Sequence, residues 1–301
     1  MQLFSHYLNR TAQHSAAPHG WKNHVLGDAL LYSHRDTLYH CGDFPSHLHY
    51  HDYYELLIVE RGEIRYTCES ETYVPRAGDV ILIPPGKFHM SEINAPSTRY
   101  VRNVFYLYPS AFSAAGLDCL CDFLIRPEGQ YVLTLPSPDK TQALLALLQR
   151  LQATLAAGDS PLERGLALSF VIQIFYLLNT ALLHTPDTAA PLPQNLLKIK
   201  QYIDENYATV QSVAQIAQQF FYSREYTSRL FKKYFDITIS GYILKRRIAQ
   251  SQRLLAQGAS ITDTAFAVGF GSHSAFIAAF RAETGLTPSA YRKLKRGDGE
   301  V

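Results

Sequence analysis

The chain has 301 residues, 47% of them hydrophobic and 18% charged, which is enough for two domains with cores of their own and excludes a disordered protein. Its net charge of +2 averages two unlike portions: from Leu196 onward 15 lysines and arginines face 8 acidic residues, and before it 13 face 18. The basic C-terminal third points to a polyanion partner for that end alone, nucleic acid rather than a membrane, and the opening MQLFSHYLNRTAQHS lacks the apolar core of a signal peptide, so the chain reads as cytoplasmic.

Residues 25 to 110 read as strands. LLIV, IRYTCE, VILIP and YVRNVFYLY are short, rich in β-branched and aromatic residues, and divided by turns such as Glu60 to Glu63 and Pro75 to Asp79. This is the pattern of an antiparallel sandwich or barrel. After Pro138 the period lengthens: Leu144, Leu148, Leu151 and Leu155 recur at helical spacing until Gly158 ends the run. Ser160-Pro161 opens a second helix, a hydroxyl cap followed by a residue with no N–H to satisfy. Its Leu166, Phe170, Ile174, Leu177 and Leu178 share a face. The two helices either pack on the β domain or form a seam between two chains. Ala167 to Leu183, the longest apolar stretch, is interrupted by Ser169, Gln173, Asn179 and Thr180, which fits a buried helix rather than a membrane span. HTPDTAAPLPQN, residues 184 to 195, has three prolines and reads as a linker. Cys41, Cys68, Cys119 and Cys121 form no C-x-x-C pair and receive no role.

From Leu196 the chain is helical and repeats itself. VAQIAQQFFYSREYTSRLFKKYFDIT, from Val213, aligns with ITDTAFAVGFGSHSAFIAAFRAETGLT, from Ile261: Ala217 matches Ala265, Phe220 matches Val268, Tyr222 matches Phe270 and Phe231 matches Phe280. Each copy reads as a short helix, a turn and a second helix starting near Ser223 or Ser272. Gly269 supplies the permissive turn residue in one copy, and Phe221 stands in its place in the other. Between them, SGYILKRRIAQSQRLLAQG keeps a helical period through Ile243, Leu244, Ile248, Ser251, Leu254 and Leu255 up to Gly258. A helix-turn-helix fits its second helix into the major groove of DNA. One long helix joining two such units would set the two readers roughly 34 Å apart, one duplex turn.

On these residues, 196 to 296 resemble the DNA-binding domain of AraC-type transcriptional regulators. VGFGSHSAFIAAFRAETGLTPSAYRK, 268 to 293, carries the Gly-Phe pair, the Phe276/Phe280 spacing, the Thr-Gly-x-Thr-Pro turn and the closing Tyr-Arg of that family, and SRLFKKYF and RRIAQSQRLL match as well. The resemblance implies that Arg224, Glu225, Ser228 and Arg229 face base edges, Arg229 first among them because a guanidinium grips guanine bidentately. In the second reader it points to His273, Ser274, Ile277 and Ala278. Ala278 stands where the family usually has a basic residue, so weaker reading is expected there. Lys232, Lys233, Arg246, Arg247 and Arg281 are the expected phosphate partners, with a buried structural role as the alternative for Arg247. Ala265, Phe231, Phe276 and Phe280 are expected to be core.

HYHDYYELLIVERG, from His49, and GDVILIPPGKFH, from Gly78, place His49, His51, Glu55 and Gly62 ahead of Gly78, Pro84, Gly86 and His89. The spacing resembles the two motifs of the cupin fold, a double-stranded jelly-roll β barrel, with departures at Gly42, one residue too far away, and at Ile93, where an asparagine is usual. In metal-binding cupins the three imidazoles and the carboxylate hold a divalent ion, and such donors suit iron, manganese, nickel or zinc. Three roles stay open for His49, His51, Glu55 and His89: metal ligands, the wall of an effector pocket, or structural side chains satisfied by their neighbours. The aromatic residues of the strands are expected to be core.

The expected fold is thus multidomain α+β: a cupin-type jelly-roll barrel that senses an effector (1–138), a helical dimerisation segment (139–183), a linker (184–195) and an all-α double helix-turn-helix domain (196–296). The expected function is a ligand-responsive, sequence-specific DNA-binding transcription regulator without catalytic residues, its effector by family habit a sugar or another small metabolite. Expected partners are double-stranded DNA, that effector, RNA polymerase and a second copy of the chain, and a divalent metal in the barrel is the candidate cofactor. The alternatives are a metal-dependent cupin enzyme fused to a DNA-binding domain and a constitutive architectural DNA binder with a vestigial barrel.

Overall fold

The computed structural model describes residues 22–27, 29–40, 48–93, 97–108, 111–112, 115–125, 130–181, 183–184 and 192–296. Most of the expected linker, together with Cys41 and Gly42, lies outside the described residues. The chain divides into two compact units, one built on the strands with the two helices that follow them, the other on the C-terminal helices together with the short segment Ser46–Asp52 ahead of β3.

The first unit contains β1 (Lys22–Gly27), β2 (Leu30–His40), β3 (Tyr54–Arg61), β4 (Arg65–Cys68), β5 (Glu71–Tyr73), β6 (Val80–Ile83), β7 (His89–Glu92), β8 (Ser97–Leu107), β9 (Val132–Thr134) and β10 (Leu183–His184). They form a seven-stranded sheet in the order β1-β2-β8-β3-β6-β9-β10 and a three-stranded sheet in the order β5-β4-β7. All the recorded strand pairs are antiparallel.

The large sheet is buried on both faces, which is why its strands read as nearly continuous apolar runs. Leu30 and Tyr32, Leu56 and Ile58, Val80 and Leu82, Phe105 and Leu107 point to one side and join a core with the two helices. Their neighbours Leu31, Leu57 and Val59, Ile81 and Ile83, Val104 and Tyr106 point to the other side, where Tyr66, Cys68 and Tyr73 of the small sheet meet them. Because side chains alternate along a strand, a slip of one residue would exchange the two cores.

Helix α1 (Pro138–Ala157) begins on Ser137, whose Oγ accepts from the Lys140 N–H, and stops at Gly158. Leu144, Leu148 and Leu151 are fully buried against the sheet and Leu155 nearly so, each contributing about 1.5–3 kcal/mol through removal of apolar surface from water. Of the two arrangements left open by the sequence, packing on the β domain is therefore the one adopted, and the leucine stripe of α1 is not free to form a seam with a second chain. A polar network helps to seat this helix. Gln152 Nε2 donates to Glu60 Oε1 at 2.9 Å and to Asn103 Oδ1 at 3.0 Å, and the Tyr32 hydroxyl donates to Asn103 at 2.5 Å.

Helix α2 (Pro161–Ala181) is long and apolar enough to cross a membrane. It nonetheless lays Val171, Ile174, Phe175 and Leu178 into the helix-side core, with Phe175 set edge-on to Phe105, Phe112 and Phe123 at centroid distances of 5.8, 5.3 and 5.3 Å. Asn179, one of the polar interruptions, donates to Leu120 O and accepts from the Phe123 N–H. The opposite side of α2 leaves Leu162, Leu166 and Tyr176 exposed.

The second unit comprises α3 (Gln194–Asn206), α4 (Val213–Gln219), α5 (Arg224–Phe235), α6 (Ile239–Ala256), α7 (Ile261–Ala267), α8 (His273–Thr284) and α9 (Pro288–Arg296). The repeat is realised as α4–turn–α5 and α7–turn–α8, and α6 serves both halves. Its N-terminal Ile239 and Tyr242 are buried, with Tyr242 ring to ring with Phe231 at 5.2 Å. Its C-terminal Ile248 and Leu255 pack with Ala265, Phe276, Phe280 and Tyr291. At about 1.5 Å per residue, its 18 residues run about 27 Å.

The two turns reach the same backbone shape by different means. Gly269 has φ 88°, and a Cβ there would stand 2.1 Å from the Ala208 carbonyl oxygen. Phe221, its counterpart, has φ 57° and is 97% exposed, so it carries the cost of about 1–2 kcal/mol that a side chain meets in the left-handed region without recovering it by burial. Replacing Phe221 by Gly is accordingly expected to raise the stability of the full-length protein by up to about 1 kcal/mol, the gain trimmed by the entropy of glycine in the unfolded chain. Gly269→Ala is expected to lower it, by about 1–3 kcal/mol for overpacking in addition to the backbone strain. Urea denaturation of both variants measures the contrast, and equal effects of one sign would refute it.

Candidate DNA interface and buried histidine cluster

In both repeats the second helix opens on a serine. Ser223 Oγ accepts from the Tyr226 N–H at 3.1 Å and Ser272 Oγ from the Ala275 N–H at 3.2 Å, fixing where each helix starts. On α5 the inner face holds Thr227, Phe231 and Phe235. The outer face presents Glu225, Arg229, Lys232 and Lys233 at helical spacing, all exposed, with Arg224 exposed ahead of them and Ser228 half-buried beside them. On α8, Phe276 and Phe280 are buried, and the corresponding outer positions are His273, Ser274, Ala278 and Arg281, exposed, with Ile277 half-buried. The two outer faces thus superpose in sequence but not in charge: Ser274 stands for Glu225, Ala278 for Arg229 and Arg281 for Lys232.

Two of the expected phosphate partners are engaged within the domain. The Arg247 guanidinium is turned inward, its Nε donating to Tyr207 O at 2.9 Å and its Nη2 to Val210 O at 3.0 Å, with the Phe270 ring 5.9 Å away. Serving a phosphate would mean abandoning two charge-assisted hydrogen bonds, so Arg247 takes the structural role. Arg246 pairs with Asp204 at 3.0 Å. Asp204 also receives the Tyr242 hydroxyl at 2.6 Å and Lys200 Nζ at 2.7 Å, and Lys200 is only 3% exposed.

In the first unit the chain brings together two of the four candidate ligands, Glu55 and His89; His49 and His51 fall in the segment that belongs to the second unit. Glu55 sits near the start of β3, on the side facing the small sheet, and His89 opens β7. Their Oε2 and Nε2 atoms are 3.2 Å apart. His89 is 1% exposed, stacks on Tyr66 with centroids 6.0 Å apart, and has Nδ1 3.1 Å from Lys87 O. A proton on Nδ1 would satisfy that carbonyl and turn the Nε2 lone pair toward Glu55, the outer hydrogen bond typical of a metal-ligating histidine. A carboxylate oxygen and an imidazole nitrogen side by side suit a divalent transition metal. His49 is exposed, and the segment before β3 is not a strand, so strand alternation does not hold His49 and His51 to one face.

The reading of the sequence missed the other charged groups of this interior. Arg35 on β2 and Arg102 on β8 face the same side as Glu55. Arg102 is 4% exposed, lies 4.2 Å above the Tyr100 ring and donates to the Tyr39 hydroxyl at 3.4 Å. Arg35 donates to the Tyr106 hydroxyl at 2.8 Å. Burial raises the Tyr66 and Tyr100 hydroxyls well above their ordinary range, so both stay protonated. The signal was present in YVRNVFYLY, where Arg102 shares the parity of Tyr100, Val104 and Tyr106.

Two family models match the chain: an AraC-like ligand binding domain over residues 39–174 and a helix-turn-helix domain over residues 216–294. Among curated proteins, the HTH-type transcriptional regulator YbfI of Bacillus subtilis (strain 168) is 27% identical over 77% of this chain and 80% of its own length. The HTH-type transcriptional activator RhaS of Escherichia coli O81 (strain ED1a) is 26% identical over 85% of this chain and 90% of its own. Among solved structures, an AraC-type DNA-binding-domain transcriptional regulator from Chromobacterium violaceum is 30% identical over 35% of this chain and 94% of that one, with a TM-score of 0.32.

The inward and outward cations of the second unit should separate in a denaturation experiment. Arg247→Ala is expected to cost about 1.5–3 kcal/mol, the worth of a hydrogen bond to a charged group, and Lys233→Ala less than about 0.5 kcal/mol, both read by urea denaturation of the full chain on its helical signal. Equal losses would return Arg247 to the solvent-facing set.

Proposed function

Because this chain belongs to the AraC-type DNA-binding transcription regulators, with a ligand-binding domain ahead of its helix-turn-helix domain, we propose that α5 is its main sequence reader and α8 an auxiliary one. The observation that carries this is the contrast between the two outer faces. In a major groove, Arg229 is placed at the middle of the exposed stripe of α5, Arg224 and Glu225 at its entering end with Ser228 alongside, and Lys232 and Lys233 near the phosphates. In α8, His273, Ser274 and Ile277 contribute shape and a few hydrogen bonds, and Arg281 a phosphate contact. The second half of the operator is then read less strictly than the first.

The scheme of domains follows the same reading: an effector-sensing domain over residues 1–138, helices at 139–183 that carry dimerisation through the exposed side of α2, a linker at 184–195 and the DNA-binding domain at 196–296. RNA polymerase is the partner through which a bound regulator acts on transcription, and the protein works in the cytoplasm. A small effector in the strand-rich domain, a sugar or another metabolite, shifts the equilibrium only as far as its affinity differs between the arrangements. The pairing of Glu55 with His89 favours a second element in this proposal: these residues hold a divalent ion, which would supply a Lewis-acidic anchor for an effector oxygen.

Duplexes selected from a random pool by the wild-type protein provide the test. Arg229→Ala is expected to weaken binding by about 10- to 100-fold and to relax preference at one base pair, as loss of a bidentate base contact does. Lys232→Ala with Lys233→Ala is expected to weaken binding to all sequences alike and to reduce the salt dependence by about one phosphate each. Unchanged preference in Arg229→Ala would remove α5 from its role. For the metal, elemental analysis of protein refolded with zinc or manganese is expected to give about one ion per chain in the wild type and none in His89→Ala. Equal loading of the two would exclude the cluster.

A further inference from the structure

We propose that Glu225, the one acidic residue of α5, is a specificity-determining residue that reads cytosine, so that the first half of the operator carries a C·G pair close to the guanine assigned to Arg229. This rests on the reading of α5 as the main sequence reader, and it names a base which that reader selects.

The argument begins with charge. On α5 Glu225 stands among Arg224, Arg229, Lys232 and Lys233, and all of these side chains are exposed. Brought to a duplex, the four cations gain from the phosphates and the carboxylate loses. Most of the base-edge atoms of the major groove are acceptors too: N7 and O6 of guanine, N7 of adenine, O4 of thymine. A carboxylate can only accept, so it must find a donor there. The groove offers the N4 amino group of cytosine and the N6 amino group of adenine. In adenine that amino group stands beside N7, whose lone pair repels a carboxylate oxygen. Cytosine is the base that remains.

The fold itself makes little claim on this carboxylate. A helix favours an acid in its first turn, yet α8 begins on Ser272 in the same way and has no acid there, so such a helix forms without one. Arg229 lies four residues on, within reach of an ion pair along the helix. Among the described residues, however, neither side chain has a hydrogen bond or an ion pair, and both are open to a duplex. Four residues advance a helix by about 6 Å, close to two base-pair steps of about 3.4 Å, which sets how far the cytosine stands from the guanine of Arg229. The second reader lacks this demand. Ser274 holds the place of Glu225, and a hydroxyl, which both donates and accepts, suits any base edge.

The experiment selects duplexes from a random pool with the full-length wild type, Glu225→Gln, Glu225→Ala and Arg229→Ala, and then measures affinity for single-base variants of the wild-type consensus at one salt concentration. The wild type is expected to require a cytosine about two steps from the guanine whose preference is lost in Arg229→Ala, and to bind about tenfold or more weakly when thymine or guanine replaces it. In Glu225→Gln the preference at that position is expected to move from cytosine to adenine, which a primary amide grips through N6 and N7, while the guanine preference stays. Glu225→Ala is expected to accept every base there. The retained guanine shows that both variants fold and dock. A position with the same preference in the wild type and both Glu225 variants would overturn the proposal. So would a gain in affinity for all sequences alike in Glu225→Gln, which is the mark of a carboxylate that only repels phosphate. A guanine that depends on Arg229, with no base that depends on Glu225, would overturn the cytosine assignment and leave α5 as the reader.

Discussion

The first unit depends on one constraint, the strict alternation of side chains along the strands of a sheet that is covered on both faces. In β3, β6 and β8 every residue must suit one of two cores. The helix side takes Leu56, Ile58, Val80, Leu82, Phe105 and Leu107, where only apolar packing and the Gln152–Glu60–Asn103 network are needed. The inner side takes Glu55, Arg35, Arg102 and the tyrosines, a set that would be ruinous against α1 and α2. A single shift of register would drive two guanidiniums into the leucines of α1, at a cost well beyond the few kcal/mol by which a domain is stable. The chemistry of the inner face and the packing of the outer face therefore enforce the same register.

The second unit depends on a different device, a helix shared between two cores. Tyr242 near the start of α6 belongs to the first reader, while Ile248 and Leu255 farther along belong to the second, so the spacing between α5 and α8 is set by the length of a helix rather than by a loop. Asp204 ties α3 to α6 by meeting Lys200, Tyr242 and Arg246. Lys200 is buried, and a buried cation is tolerable only while its partner is present. Arg246 and Arg247, two of the five cations expected at phosphates, are thus engaged within the scaffold. Arg224, Arg229, Lys232 and Lys233 stay exposed on α5.

How much of this could be read in advance follows from whether the deciding contact is local. Caps are local, and Ser160-Pro161, Ser223 and Ser272 marked their helices; so were the leucine stripe of α1 and the repeat that becomes α4–α5 and α7–α8. The Glu55–His89 pair was legible as parts of two motifs, though the place of His49 and His51 was not, because the backbone before β3 is irregular. Arg35 and Arg102, opposite each other in the β2–β8 register, were hidden because their meeting joins strands 67 positions apart, and because two buried faces blur the alternation that would have assigned Arg102 to a side. Phe221 was visible as an exception to the repeat, yet only its φ of 57° shows that the backbone keeps the glycine shape at the expense of strain. The destination of the leucine-rich helices was undecidable for a similar reason, since a stripe that suits a sheet also suits a partner helix.

A regulator of this design needs only a modest amount of free energy from its ligand. Changing operator affinity tenfold takes about 1.4 kcal/mol of coupling between the two binding events, less than the roughly 1.5–3 kcal/mol associated with one hydrogen bond to a charged group. The remaining packing can stay fixed while the equilibrium moves, since a ligand biases two arrangements only by the difference in its affinity for them.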